Sequence, residues 1–217
     1  MMLKENGLIT LTWGNVSEID RERGIIAIKP SGVDYDSMTP EDIVILDLDG
    51  NRVEGDLNPS SDTPTHLVLY KSFPAITGIT HTHSRWATVF SQAKCEIPVL
   101  GTTHADAFYG SVPVTRDMTN EEIRGEYEKN TGVVIAECFD NENVMATPGV
   151  LVASHGPFTW GKSAKDSVKN AIILEEVAAM AYYTMKLNPD AEISNALIDK
   201  HYLRKHGKNA YYGQGGK

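Results

Sequence analysis

The sequence predicts an α/β architecture in the loose sense, a mixed β-sheet covered by helices, and three observations predict it. Short β-rich segments broken by turn residues crowd the first fifty positions. Longer helix-like segments dominate the remainder, the last of them carrying a broad apolar face. The length of 217 residues and the 41% apolar fraction suit one domain with a substantial core, so the whole span 1–217 is expected to fold as a single unit.

In chain order, Leu8–Thr12 is β-rich, Ile25–Ile28 follows a glycine, and Ile43–Leu48 runs into Asp49-Gly50. An Asp-Gly pair between apolar stretches signals a hairpin, because both positions tolerate positive φ. Pro64–Phe73 reads as a helix with Thr63 as N-cap and Pro64 at the first helical position. Ile76–His83 reads as a strand, Trp86–Ala93 as a helix, Asn120–Asn130 as a charged, exposed helix, and Gly149–Ser154 as a buried strand. The longest helix starts at Ser163 and presents Val168, Ala171, Ile172, Leu174, Val177, Ala178 and Ala181 on one face before Pro189 ends it. No repeat, linker or low-complexity tract divides the chain.

Twenty Lys and Arg against 29 Asp and Glu leave a formal charge of −9, which disfavours nucleic acid and anionic membrane as partners. An anionic substrate would need a locally positive site or one built from backbone N–H groups. Cys95 and Cys138 are far apart and fit reduced thiols rather than a disulfide framework. The start, MMLKENG, lacks a secretory pattern, and no apolar run is long enough to span a bilayer, so a soluble, cytoplasmic protein is expected. Neither a Walker loop nor a dinucleotide glycine fingerprint is present.

His81-Thr82-His83 closes the predicted 76–83 strand. Residues two apart in a strand face one way, so the two imidazoles converge on one side of the sheet. His155 ends another apolar strand just before Gly156-Pro157. Three neutral imidazoles leave a position open on a divalent ion, the pattern of a catalytic zinc, with manganese or cobalt able to take the same ligands. A His-x-His pair alone is weak, and the alternative is a hydrogen-bonded structural role. His66, His104, His201 and His206 lack such an arrangement and are expected at the surface or in ordinary hydrogen bonds. Ser60-Ser61-Asp62-Thr63 at a helix start is either an anion site or a simple cap. Lys29-Pro30-Ser31-Gly32 and Trp13-Gly14-Asn15 are either turns or places of close backbone approach to a ligand.

TLTWGNVS (10–17), IKPSGVDY (28–35), PSSDTPTH (59–66), THTHSRWAT (80–88), GTTHAD (101–106), SHGPFTWGK (154–162) and DKHYLRKHGKNAYYGQ (199–214) together resemble the class II aldolase/epimerase family. Within it they resemble the epimerases of phosphorylated ketopentoses. The resemblance covers nearly the whole chain in order. It implies a central, mostly antiparallel sheet covered by helices on both faces, and a longer helix ahead of the first motif than MMLKENG provides. It implies one zinc ion per subunit held by His81, His83 and His155, with Asp62 at or beside the metal. Gly14, Asn15, Ser31, Gly32, Ser60 and Ser61, with Lys29 nearby, correspond to segments that hold substrate and its phosphate. Asp106 and Tyr212 correspond to the acid/base pair. The family's assembly is a four-fold symmetric homotetramer with sites between adjacent subunits, Tyr212 coming from the neighbouring chain. Two other readings stay open: a class II aldolase of the L-fuculose 1-phosphate type, and a non-catalytic, adducin-like interaction module on the same fold.

Overall fold

In the computed structural model, residues 1–139 and 144–213 are described. Seven strands form one sheet: β1 (Asn15–Asp20), β2 (Ile25–Ile28), β3 (Val44–Asp47), β4 (Arg52–Glu54), β5 (Gly78–His81), β6 (Gly149–Leu151) and β7 (Pro157–Gly161). Their order is β4-β3-β2-β1-β5-β7-β6. Every neighbouring pair is antiparallel, which replaces the mixed sheet expected from the residues alone and agrees with the sheet the resemblance implies. Eight α-helices accompany it among the described residues: α1 (Met2–Glu5), α2 (Thr63–Ser72), α3 (Arg85–Ala93), α4 (Thr102–Ala105), α5 (Asn120–Arg124), α6 (Tyr127–Ala136), α7 (Ala164–Leu187) and α8 (Asn195–His206).

Side-chain alternation on the central strands sorts the two faces. Ile26 and Ile28 of β2, Ile79 of β5, and Phe158 and Trp160 of β7 pack with Leu69 and Tyr70 of α2, Phe73 just past its end, and Ile135 of α6. On the opposite face Thr80 Oγ1 meets Ser167 Oγ of α7 at 2.7 Å. There Leu174, Val177 and Ala178 of α7 join Ala87 and Phe90 of α3 and Leu151 of β6. Helices therefore cover both faces, and each face buries its own apolar cluster.

Several expected elements shift. Leu8–Thr12 is a turn segment, with Leu11 at φ 55°, and the strand begins at Asn15. The helix at 63–72 is capped by position 62, and Thr63 is its first residue. Gly125 splits the expected exposed helix at 120–130. The second piece, α6, buries Thr131, Gly132, Val134 and Ile135 against α2. The residue pattern predicts neither strand β7 nor helix α8. Ser163 caps α7 as expected, accepting from Asp166 N at 3.1 Å.

Candidate active site

The register places the site. Asn15 pairs with His81, and His81 with Phe158, at one end of the three central strands. His81 is the last residue of β5 and is buried. Its Nδ1 donates to Pro157 O at 2.9 Å, which puts the ring proton there and leaves the Nε2 lone pair free. His83 lies beyond the strand end, in the extended link to α3, and is exposed. The two rings approach at 4.9 Å between centroids. His155 sits in the β6–β7 turn beside Ser154, a non-glycine residue at φ 62°, and Ser154 N donates to Ser91 O of α3 at 2.8 Å. A Cβ on Gly156 would meet Thr82 O at 2.8 Å, so this turn lies directly on the 81–83 segment only because residue 156 is glycine.

The ligand atoms of His81, His83 and His155 all lie within 4.8 Å of one another. His155 Nδ1 is buried without a hydrogen-bond partner among the described residues. Burial, then its two neighbouring imidazoles, hold His81 well below the ordinary histidine range. Enclosure in the pocket also lowers His83 and His155, while Asp62 pulls both the other way. Such rings stay neutral and available as nitrogen donors, and the set suits a divalent ion of borderline softness.

Asp62 stands at the edge of this cluster. Its Oδ2 is 4.0 Å from His81 Nε2 and accepts from Asn15 Nδ2 at 2.6 Å. It occupies the N-cap position of α2 yet makes no side-chain capping bond, because the carboxylate turns towards Asn15.

The imidazoles form one wall of an open pocket of about 480 Å³, whose remaining walls are the segments 12–15, 29–32 and 60–62. Gly14, Asn15, Lys29, Ser31, Gly32, Ser60, Ser61, Asp62 and the three histidines all line it. Ser31 N and Ser60 N are already engaged by Asn58 O and Lys29 O. Those two amides are therefore committed, and the rim presents the exposed hydroxyls of Ser31 and Ser61 together with the Gly32 and Ser61 N–H groups. Lys29 is buried. Its Nζ donates to Val33 O at 2.8 Å and Pro30 O at 3.1 Å and lies 4.7 Å from the Tyr35 ring centre. Burial lowers its pKa, against the pull of Asp34. Tyr35, which sequence reasoning passed over, is buried and donates to Gly14 O at 2.9 Å. The lysine and tyrosine thus clamp the 29–35 loop and tie it to the 12–15 turn.

Asp106 and Tyr212 stand elsewhere. Neither lines this pocket. Asp106 follows α4 and accepts from His201 Nδ1 and Arg204 Nη2, each at 3.0 Å, with Lys205 Nζ at 3.1 Å. Burial works to raise its pKa, but Lys205, His201 and Arg204 outweigh it and hold the carboxyl below its usual range. Tyr212 is exposed, its ring over Lys205 at 4.3 Å and Arg204 at 5.1 Å. His66 and His104, expected at the surface or in ordinary hydrogen bonds, are buried and hydrogen-bonded, to Ser17 Oγ at 2.6 Å and to Gly110 O at 2.9 Å. Gln214, the last residue of the C-terminal motif, lies outside the described residues. A separate apolar pocket of about 350 Å³, between α1 and the sheet, holds no comparable cluster of functional groups.

Residues 1–182 match the family described as Class II Aldolase and Adducin N-terminal domain. Among solved structures the chain is similar to an L-fuculose 1-phosphate aldolase, with 27% identity and a TM-score of 0.79 over 93% of this chain and 90% of that one. It is also similar to the l-fuculose-1-phosphate aldolase of Thermus thermophilus, at 24% identity and a TM-score of 0.68 over 88% and 93%. YgbL from Klebsiella pneumoniae, whose assignment spans aldolase, epimerase and decarboxylase, has 23% identity and a TM-score of 0.70 over 91% of each chain. The last two likenesses bear on fold alone.

Proposed function

This chain belongs to the class II aldolase and adducin N-terminal domain family, and from that premise we propose that it is a metal-dependent L-ribulose-5-phosphate 4-epimerase, producing D-xylulose 5-phosphate. The observation that carries the proposal is the convergence of His81, His83 and His155 on a pocket whose far rim bears the hydroxyls of Ser31 and Ser61. Those imidazoles would hold a divalent ion, zinc by donor chemistry with manganese or cobalt as substitutes, which would supply several kcal/mol of Lewis-acid stabilisation to charge developing on the sugar oxygens.

Carbon 4 of the substrate carries no acidic proton, since the carbonyl is at carbon 2. Simple deprotonation and reprotonation therefore cannot invert it, whereas breaking and re-forming the bond between carbons 3 and 4 can. A base takes the carbon 4 hydroxyl proton, and the bond pair stays on carbon 3 as the enediolate. Glycolaldehyde phosphate turns its other face and adds back, recovering a proton. Asp62, oriented by Asn15, borders the metal. Ser31 and Gly32, on the loop that Lys29 and Tyr35 hold in place, and Ser60 and Ser61, just ahead of α2, receive the phosphate. In this reading Lys29 is engaged in the loop clamp, and Asp62 and the three histidines belong to the metal, which leaves the acid/base role to residues beyond the pocket lining. Asp106 and Tyr212 fill that role in our reading, with Tyr212 reaching the pocket of an adjacent copy in a homotetramer.

The 27% identity to an L-fuculose 1-phosphate aldolase favours a second reading, cleavage without re-addition. Supporting the epimerase are Asp rather than Glu at position 62 and the resemblance of the C-terminal segment 199–214. Side-by-side incubation decides between them. Zinc-loaded protein should convert L-ribulose 5-phosphate to D-xylulose 5-phosphate and leave L-fuculose 1-phosphate intact. Release of dihydroxyacetone phosphate from the latter, without epimerisation of the former, would establish the aldolase. Absence of both activities and of bound metal would leave the adducin-like module.

A further inference from the structure

We propose that Trp13 is the wall that retains the cleaved aldehyde, and that it thereby sets the balance between epimerisation and release. The inference rests on the phosphoketose reading above. Trp13 lines the pocket with its ring centre 6.0 Å from that of His83, and it is 51% exposed. A single exposed apolar side chain is ordinary on a protein surface, and what distinguishes Trp13 is its place in the lining of the metal-site pocket beside His83. Its backbone is nevertheless tied on both sides. Trp13 N donates to Thr10 O at 3.2 Å, and the next carbonyl, Gly14 O, accepts from buried Tyr35. Gly14 adopts φ 81°, and a Cβ there would meet His81 O at 2.8 Å, so the turn carrying the indole is seated on the metal-site strand. The indole is thus exposed on a fixed backbone.

The remaining lining is almost wholly polar: serines, threonine, asparagine, aspartate, lysine and imidazoles, with Pro30 and the glycines. Trp13 is the one carbocyclic ring in that lining. A sugar fragment has an apolar C–H face as well as hydroxyls, and an indole is the surface suited to cover it. Coverage matters at one moment of the reaction. When the bond between carbons 3 and 4 breaks, its electron pair stays on carbon 3 and the carbon 4 hydroxyl loses its proton to the base as the aldehyde forms. The fragment is then held by its phosphate alone. It must turn and accept the same electron pair on its other face, with the proton returned, and no further reactant is consumed. Escape at that point makes the enzyme an aldolase.

The test uses the zinc-loaded full chain and Trp13→Ala and Trp13→Phe variants checked for folding by circular dichroism. Phosphorus NMR follows free glycolaldehyde phosphate during turnover of L-ribulose 5-phosphate. Trp13→Ala should release it at least about tenfold more often per epimerisation than the wild type, with Trp13→Phe between them. In parallel, L-ribulose 5-phosphate should change the tryptophan emission of the wild type. Trp13→Phe, retaining Trp86 and Trp160, should lose that response. A folded Trp13→Ala variant that epimerises with no more release than the wild type overturns the wall while leaving the epimerase reading intact. A wild type that does not convert L-ribulose 5-phosphate sinks the epimerase reading, and the wall with it.

Discussion

Three imidazoles crowded within 4.8 Å disfavour protons and favour a cation, because each protonation would set like charges together in a low-dielectric wall. His83 is the one to remove, since it is exposed while His81 is buried against Phe158. His83→Asn should weaken zinc binding by more than about 100-fold, beyond the loss typical of an outer-shell change, with little effect on fold. Equilibrium dialysis checks this, and undiminished zinc would remove His83 from the ligand set. His66 gives a second prediction. It is fully buried, bonded through Nδ1 to Ser17 Oγ at 2.6 Å, and burial first, then His81, bring its pKa down to about 3 against the pull of Asp62. The unfolded chain, with an ordinary histidine near 6.5, binds more protons than the folded one between those values. This contribution is fully present above about pH 6.5, and stability falls by about 1.4 kcal/mol per pH unit below it until the folded pKa is reached. Replacement by Gln should lower stability overall yet flatten its decline between about pH 6.5 and about pH 4. An unchanged slope in chemical denaturation would contradict the assignment. The histidine spacing is legible in the sequence, although strand alternation explains only part of it. That alternation ends at His81, and His83 reaches the pocket through the link to α3.

Elements rather than single groups hold the rim in place. The 29–35 loop, the 12–15 turn and the α2 start are cross-tied by Lys29, Tyr35 and Ser60 N to Lys29 O. Tyr35→Phe keeps the ring under the Lys29 ammonium and removes one hydroxyl, stranding Gly14 O. A loss of about 1–3 kcal/mol is expected, with a raised KM for the phosphorylated sugar and unchanged zinc content. Thermal and kinetic measurements together check it, and a KM equal to wild type would dissolve the link between clamp and rim. The elements missed from sequence share a physical cause. Strand β1 buries Asn15 and Ser17, polar residues that invert the usual pattern, while the nearby Leu8–Thr12 offers misleading β-rich composition. Strand β7 starts with proline and is buried at every position, so it shows no alternation. Helix α8 buries none of its residues, leaving no apolar stripe to read. By contrast α7, with a cap and a broad face, is legible from end to end.

At the scale of the molecule, one chain carries the metal-site pocket and the Asp106–Tyr212 cluster as separate features. Our reading needs a second copy to bring Tyr212 to the pocket, so activity should be recoverable from two inactive partners. His83→Asn chains keep Tyr212, and Tyr212→Phe chains keep the pocket. Mixed assemblies formed after dissociation should regain epimerase activity that neither parent shows, given the roughly 10²–10⁴ typically contributed by a general acid/base. Verified mixed assemblies without activity would place Tyr212 outside the neighbour's reaction. The assembly itself is not legible in periodicity or charge, because a net charge of −9 speaks to partners excluded rather than to copies joined. The central claim is that the three histidines hold the ion on which carbon–carbon cleavage depends, and titrating zinc into metal-free protein tests it most directly. Conversion of L-ribulose 5-phosphate should rise linearly from none and plateau at one zinc per chain, whereas metal-free protein already converting at the plateau rate would contradict it.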